Sequence, residues 1–313
     1  MIEICKSISD VVTNIDEIIT QENGNHPECD AEYFFRGESQ NYGQDEGLLS
    51  SFQSSLDRRG LVAFEREIYN DALRYNIADF REDSTMAERV ARMQHYYLPT
   101  RFADVSENAL CALYFAVSRG YGPNAEADAK KDGYVRVLKV AHHKMKQFNS
   151  DIIIAISHLP LVRMDQINFS AGVDGVDYLR YEVTNTRPGF REDADDEIKE
   201  RLIRELQQVW AFRPIFNNRR LISQSGLFLA FGCGDHKSSL RPTFDPRDYD
   251  DELSPSYGIK QVNYVRIAAS AKDRILNELR HYGMMAETVY PELASVNGVL
   301  TKKYEERSSV NEF

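Results

Sequence analysis

The chain has 313 residues, 42% hydrophobic and 28% charged, with a formal net charge of −11. That length allows a large buried core, and the acidic balance argues against broad, phosphate-driven nucleic-acid binding while leaving room for a local basic pocket. The longest apolar runs, such as residues 109–117, fall far short of the ~20 residues of a membrane helix, so no membrane association is expected.

In chain order, Val11, Val12, Ile15, Ile18 and Ile19 recur at helical spacing and predict an amphipathic helix over 9–21. Gly24, Asn25 and Pro27 end it. Tyr33-Phe34-Phe35-Arg36-Gly37 reads as a short strand. Three consecutive aromatic residues cannot alternate in and out, so both faces of this strand are expected to be covered. Arg36 then closes a buried strand, and Gly37 permits a sharp turn or a close approach to the backbone.

Leu61, Phe64, Ile68 and Ala72 mark a second helix, and residues 87–96 a third that Pro99 breaks. Residues 92–117 carry a polar half with Gln94, His95, Arg101 and Asp104, then run directly into a nearly uncharged half. A guanidinium and a carboxylate at the mouth of a buried segment are costly unless paired or used. Ser106 is placed to cap a central helix over 107–118. Cys111 in that helix reads as a buried thiol.

Further on, residues 133–140 alternate as a strand, His142 and His143 read as surface residues, and helices follow at 150–158 and 195–210. Strands are predicted at 223–231 and 263–268, separated by a Pro-, Asp- and Ser-rich connection over 235–258 expected to be mobile. Ser270 opens a helix that Gly283 stops, and a last helix spans about 291–306. The order implies an α+β fold with a mixed, largely antiparallel sheet, packed helices and a helical C-terminus.

Nucleotide-binding loops of the Gly-x4-Gly-Lys and Gly-x-Gly-x-x-Gly kinds are absent from the sequence, as is a Gly-x-Ser-x-Gly elbow. Cys233 and His236 have the spacing of half a zinc site without a second half, and no metal is expected. Cys5, Cys29, Cys111 and Cys233 lack paired spacing, and the first twenty residues lack a basic start followed by an apolar core. A reduced, cytoplasmic setting is therefore expected.

Phe35-Arg36-Gly37, Leu48-Leu49-Ser50-Ser51-Phe52, Phe64-Glu65-Arg66-Glu67, Gln94 through Arg101 with Asp104, Ala112 through Ala116, and Gln224 through Phe228 come in an order that resembles the FRG domain. This bacterial and phage family is named for its Phe-Arg-Gly motif. With the closing segment Ile275 to Leu293, the resemblance reaches roughly from residue 10 to residue 300. It implies a single elaborated domain over 1–313, with a core of about 30–235 and a C-terminal strand-helix extension of about 259–313.

At its first motif alone, the chain is also similar to the arginine-type ADP-ribosyltransferases. That similarity implies NAD as the cofactor and Arg36 gripping its phosphates, while the bacterial and mobile-element setting of the FRG family implies a toxin or phage-defence role. The candidate catalytic residues are His95, Asp104 and Gln224, and the candidate ligand-binding residues are Arg36, Gln94, Arg101 and Ser106. The late glutamate of those transferases is missing; Gln224-Ser225-Gly226 stands where it might fall, and Glu38 or Asp104 are the nearest acids. Three readings stay open: an NAD- or nucleotide-using transferase, a non-catalytic module for a small phosphate-bearing ligand or a protein partner, and a structural network in which Arg36 or Arg101 pairs with Asp104.

Overall fold

The computed structural model describes residues 4–25, 30–42, 53–118, 130–190, 195–216, 219–234, 237, 250 and 257–291. The predicted helix at 291–306 beyond its first residue, the connection over 235–258 for most of its length, the Leu48–Phe52 segment, Cys29 and His236 lie outside them. The fold is α+β, built on one mixed sheet of eight strands. The strands are β1 (Ile4–Cys5), β2 (Ala31–Glu38), β3 (Phe102–Ser106), β4 (Gly133–Ala141), β5 (Met145–Gln147), β6 (Val209–Arg213), β7 (Gly226–Phe231) and β8 (Ile259–Ile267). Their order is β1-β8-β4-β2-β3-β7-β6-β5, parallel at the two outermost pairs and antiparallel between.

One face of the sheet carries two helical groups. The first packs α1 (Ile8–Asn25), α5 (Ala109–Val117) and α10 (Lys272–His281) on Phe35, Val135, Val137, Val265 and Ile267. The second packs α4 (Met86–His95), α6 (Asp151–His158), α7 (Asp177–Thr186) and α8 (Asp196–Leu206) around Phe102, Phe212 and Phe228. The opposite face carries a cluster drawn almost wholly from strands, including Phe34, Val105, Leu138 and Leu229. Phe34 and Phe35 are both buried, on opposite faces, as the aromatic run requires. The 12-residue α3 (Glu65–Asn76) and the short helices α2 (Ser55–Arg58), α9 (Arg219–Ser223) and α11 (Ala286–Val289) complete the described α-helices.

α5 is the central helix because all of it is apolar and six of its nine residues are buried. It lies so close to the sheet that a Cβ on Gly37 would sit 1.7 Å from the Ala112 carbonyl oxygen, and one on Gly133 would sit 2.3 Å from that of Ala116. Two glycines on neighbouring strands meet two alanines one helical turn apart. The glycine of the Phe-Arg-Gly motif therefore serves close backbone approach, not a turn: its strand runs on to Glu38.

The structure corrects several boundaries. The helix predicted to 210 ends at Leu206, and Val209–Arg213 is a strand, since Val-Trp-Ala-Phe suits a covered central position. Residues 219–223, the approach to the predicted 223–231 strand, are α9. Asn108, not Ser106, caps α5: its Oδ1 accepts from the amides of Leu110 (2.9 Å) and Cys111 (3.3 Å). Ser106 is instead the last residue of β3. Ser270 lies in a 3-10 turn ahead of α10 rather than at its cap.

Candidate functional site

β2 pairs with β4 along all eight of its residues but with β3 at a single pair, Phe35 with Ser106. Beyond that pair the two strands part, and the Arg36 side chain crosses the gap, its Nη1 donating to the Asp104 carbonyl oxygen at 2.6 Å. A carbonyl that would otherwise bond to the β2 backbone is satisfied by a side chain instead. A cavity of about 440 Å³ opens at this split, within the range of small-molecule sites. Its walls come from β2, α2, the end of α4, β3, α5, α9 and Tyr290.

Six of the seven sequence-predicted residues line this cavity: Arg36, Gln94, His95, Asp104, Ser106 and Gln224. Arg101 does not. Its buried guanidinium donates to Glu65 Oε1 at 2.6 Å and Oε2 at 2.9 Å, to the Lys237 carbonyl at 3.2 Å and to the Gly232 carbonyl. A fork-to-fork pair with two carbonyl acceptors uses four of its five N–H groups, and Arg101 is fully buried away from the cavity, so it is structural. Neither Arg36 nor Arg101 makes an ion pair with the Asp104 carboxylate.

The cavity residues form two groups. In the first, Glu38 accepts from Arg36 Nε at 3.2 Å and from Arg136 Nε at 2.8 Å, the two arginines being directly opposite each other across β2 and β4. One buried carboxylate thus holds two guanidiniums. Arg58 and Arg59, both exposed, extend the cationic surface along the cavity. Arg58 stacks over the Tyr42 ring at 5.3 Å. Partial loss of water, and after it the neighbouring Arg36 charge, pulls its guanidinium below its ordinary pKa.

The second group is at the junction of α4 and β3. The Gln94 amide donates from Nε2 to Asp104 Oδ2 at 2.7 Å, while its oxygen accepts from the hydroxyls of Thr100 (2.7 Å) and Ser55 (3.2 Å). Two hydroxyl donors on the oxygen fix which end of the amide faces Asp104. Asp104 Oδ1 has no hydrogen-bond partner among the described residues. His95 packs its ring against Phe228, 5.7 Å between centroids, and its imidazole likewise has no hydrogen-bond partner among the described residues. Burial drives His95 down to about 4, against the opposing pull of Asp104, so the imidazole is neutral at pH 7 and offers one donor and one acceptor.

Arg220 closes this end. It donates to the His95 carbonyl at 2.8 Å and to Tyr97 Oη at 3.2 Å, with the rings of Tyr97 and Tyr290 at 5.3 and 4.7 Å. The Ser106 hydroxyl donates to the Gln224 carbonyl at 2.7 Å, and Gln224 Nε2 to the Val289 carbonyl at 2.9 Å. Gln224 therefore ties β3 and α11 together, with its Nε2 turned to the backbone. Among the described residues, Tyr97 in the cavity wall and Ser225 next to Gln224 are the non-glycine residues with positive φ, at 63° and 45°, a backbone state that surrounding contacts must enforce.

Arg58, Arg59, Arg220, Tyr97 and Tyr290 were not among the predicted site residues. The Arg219-Arg220 and Arg58-Arg59 pairs were the available signal, each an adjacent cation pair in an acidic chain. Among the described residues no cluster of His, Cys, Asp and Glu has the arrangement of a metal site, and no helix is long and apolar enough to cross a membrane.

Residues 31–125 match the family model of the FRG domain, and the chain carries an FRG domain over that span. The match runs from β2 to beyond α5, so it supplies Arg36, Arg58, Gln94, His95 and Asp104, while Arg220, Gln224 and Tyr290 come from outside it. No curated protein and no solved structure matches the chain.

Proposed function

We propose that the cavity between β2 and β3 binds a small phosphate-bearing nucleotide of the NAD type. The observation that carries this reading is the charge of the cavity. Among the described residues, four arginines (Arg36, Arg58, Arg59 and Arg220) and two carboxylates (Glu38 and Asp104) line it, in a chain whose net charge is −11. Guanidiniums present planar forks to phosphate oxygens and stay charged at every physiological pH. The aromatic residues Phe35, Tyr42, Tyr97, Phe115 and Tyr290 on the same walls suit a flat heterocycle.

The transferase reading asks in addition for an acid facing the bound sugar. Glu38 is engaged by two arginines, and Gln224 is a neutral amide whose Nε2 donates to a carbonyl. Among the described residues Asp104 is the cavity carboxylate with an open oxygen, so in this reading transfer chemistry rests on Asp104, with neutral His95 as a proton carrier. No feature of the cavity itself speaks to a toxin or phage-defence role.

The experiment is calorimetric titration of the full chain with NAD, ADP-ribose, ADP and inorganic pyrophosphate. The expected result is saturable binding that weakens with added salt and falls about ten-fold in the Arg58→Ala, Arg59→Ala double variant. Both side chains are exposed, so the fold survives their removal. Absence of binding by every phosphate compound overturns the reading. Release of nicotinamide from NAD, lost in Asp104→Asn, separates an enzyme from a binder.

A further inference from the structure

The geometry points to Asp104 as a hydroxyl-accepting residue, held in place by Gln94, that makes the cavity specific for a phosphorylated ligand with a free ribose diol. This rests on the nucleotide-binding reading and names the part of the ligand the second group of residues would hold.

Asp104 shares its cavity with four arginines yet makes no ion pair with them; its one side-chain partner is a neutral amide. Arg36, the nearest guanidinium by contact, bonds to the Asp104 backbone and turns its Nε to Glu38. The carboxylate therefore keeps its charge uncancelled by a salt bridge, and it repels phosphate at its own position. A phosphate belongs on the Arg36–Arg58–Arg59 side, and a hydrogen-bond donor belongs at Oδ1. Buried polar groups in folded proteins are ordinarily satisfied. Here the buried His95 ring and Oδ1 of the half-buried Asp104 have no partner among the described residues, and both residues line one cavity.

The donor that fits is uncharged. A cationic donor would enter against four arginines, and the described residues offer no metal cluster. Hydroxyls fit both groups: a diol can donate to the carboxylate and exchange a hydrogen bond with neutral imidazole. Since the Arg36 guanidinium lies on the Asp104 backbone, the phosphate and hydroxyl positions are neighbours, as phosphate and sugar are within one nucleotide. Gln94 acts through Asp104. Its oxygen is locked by Thr100 and Ser55, so its nitrogen pins Oδ2 and leaves Oδ1 turned to the ligand.

The test is calorimetric titration with ADP, 2′-deoxy-ADP, 2′,3′-dideoxy-ADP and inorganic pyrophosphate. Wild-type protein is expected to bind ADP about ten- to a hundred-fold more tightly than dideoxy-ADP, the size of a hydrogen bond to a charged group. Asp104→Asn and Gln94→Glu are expected to lose that ratio, and the ratio is what is read because each change also shifts the affinity for every phosphate compound through the charge of the cavity. Equal affinity of the three nucleotides in the wild type overturns the diol assignment and leaves phosphate binding intact. Failure of all four compounds, pyrophosphate included, overturns both. Retention of the full ratio in Gln94→Glu overturns the positioning role of Gln94 alone, and because the wild-type comparison needs no variant, a misfolded substitution does not decide the outcome.

Discussion

Substituting Gly37 tests why the Phe-Arg-Gly motif ends in glycine. A Cβ there would lie 1.7 Å from the Ala112 carbonyl oxygen, 2.7 Å from its carbon and 2.9 Å from Phe115 Cβ. Two of the three obstacles are helix backbone, so no rotamer change relieves them. To restore ordinary contact, α5 has to retreat by roughly 1.5 Å from a close-packed interface. Its other neighbours, Tyr290 and α10 through Ile275 and Leu279, are buried and resist that shift. Overpacking of this kind costs about 3 kcal/mol, and in a protein of this size each kcal/mol moves Tm by about 2 °C. Gly37→Ala is therefore expected to lower Tm by about 6 °C in a thermal melt. Gly24→Ala is the control. It sits in α1 with no atom within 4 Å of a built Cβ, and the gain in helix propensity is about 0.5–1 kcal/mol, a rise of about 1–2 °C. A Gly37→Ala protein melting within about 1 °C of wild type refutes the close-approach account of this glycine.

Arg101→Met leaves buried Glu65 with Lys237 at 3.5 Å as its remaining ion partner; a loss of about 3 kcal/mol is expected, read as a Tm fall of about 6 °C, with ADP affinity unchanged because Arg101 is outside the cavity. His95 is held down from 6.5 to about 4, so the unfolded chain takes up a proton that the folded one refuses between those values. Stability from this group is present above about pH 6.5 and is lost as pH falls to 4, by about 3 kcal/mol at most. Melts of wild type and His95→Gln across pH 4–8 should diverge in that window and run parallel above it. Lys144 is fully buried against Trp210 and pushed down to about 7 by burial. Its folded form binds fewer protons than the unfolded one from pH 7 to 10.5, so wild-type stability should rise with pH there relative to Lys144→Met, in the same melting assay.

Local pattern made parts of this fold readable. The aromatic run gave a strand covered on both faces, the 3.6-residue spacing of Val11, Ile15, Ile18 and Ile19 gave α1, and alternation gave β4. β3 was missed because Phe102-Ala103-Asp104-Val105-Ser106 carries a carboxylate on the face that borders a cavity, which breaks the apolar signal of a covered strand. Arg101 was misread for a different reason. Its partner Glu65 stands 36 residues upstream, and no spacing rule connects a helix start to a strand start at that separation. The same holds for Glu22, which is shared between Lys139 and Lys260. Polar residues near the split could be picked out as costly to bury, but not which of them would find protein partners and which would be left facing open space. Arg220 and Tyr290 join the site through tertiary packing of α9 and α11, far from the FRG span in sequence.

A crystal structure of the full chain grown with ADP-ribose tests the central claim most directly. The account predicts the pyrophosphate within hydrogen-bond distance of Arg36 and Arg58, with a ribose hydroxyl on Asp104. Well-ordered ligand elsewhere on the surface, or an empty split between β2 and β3 at saturating concentration, would contradict it.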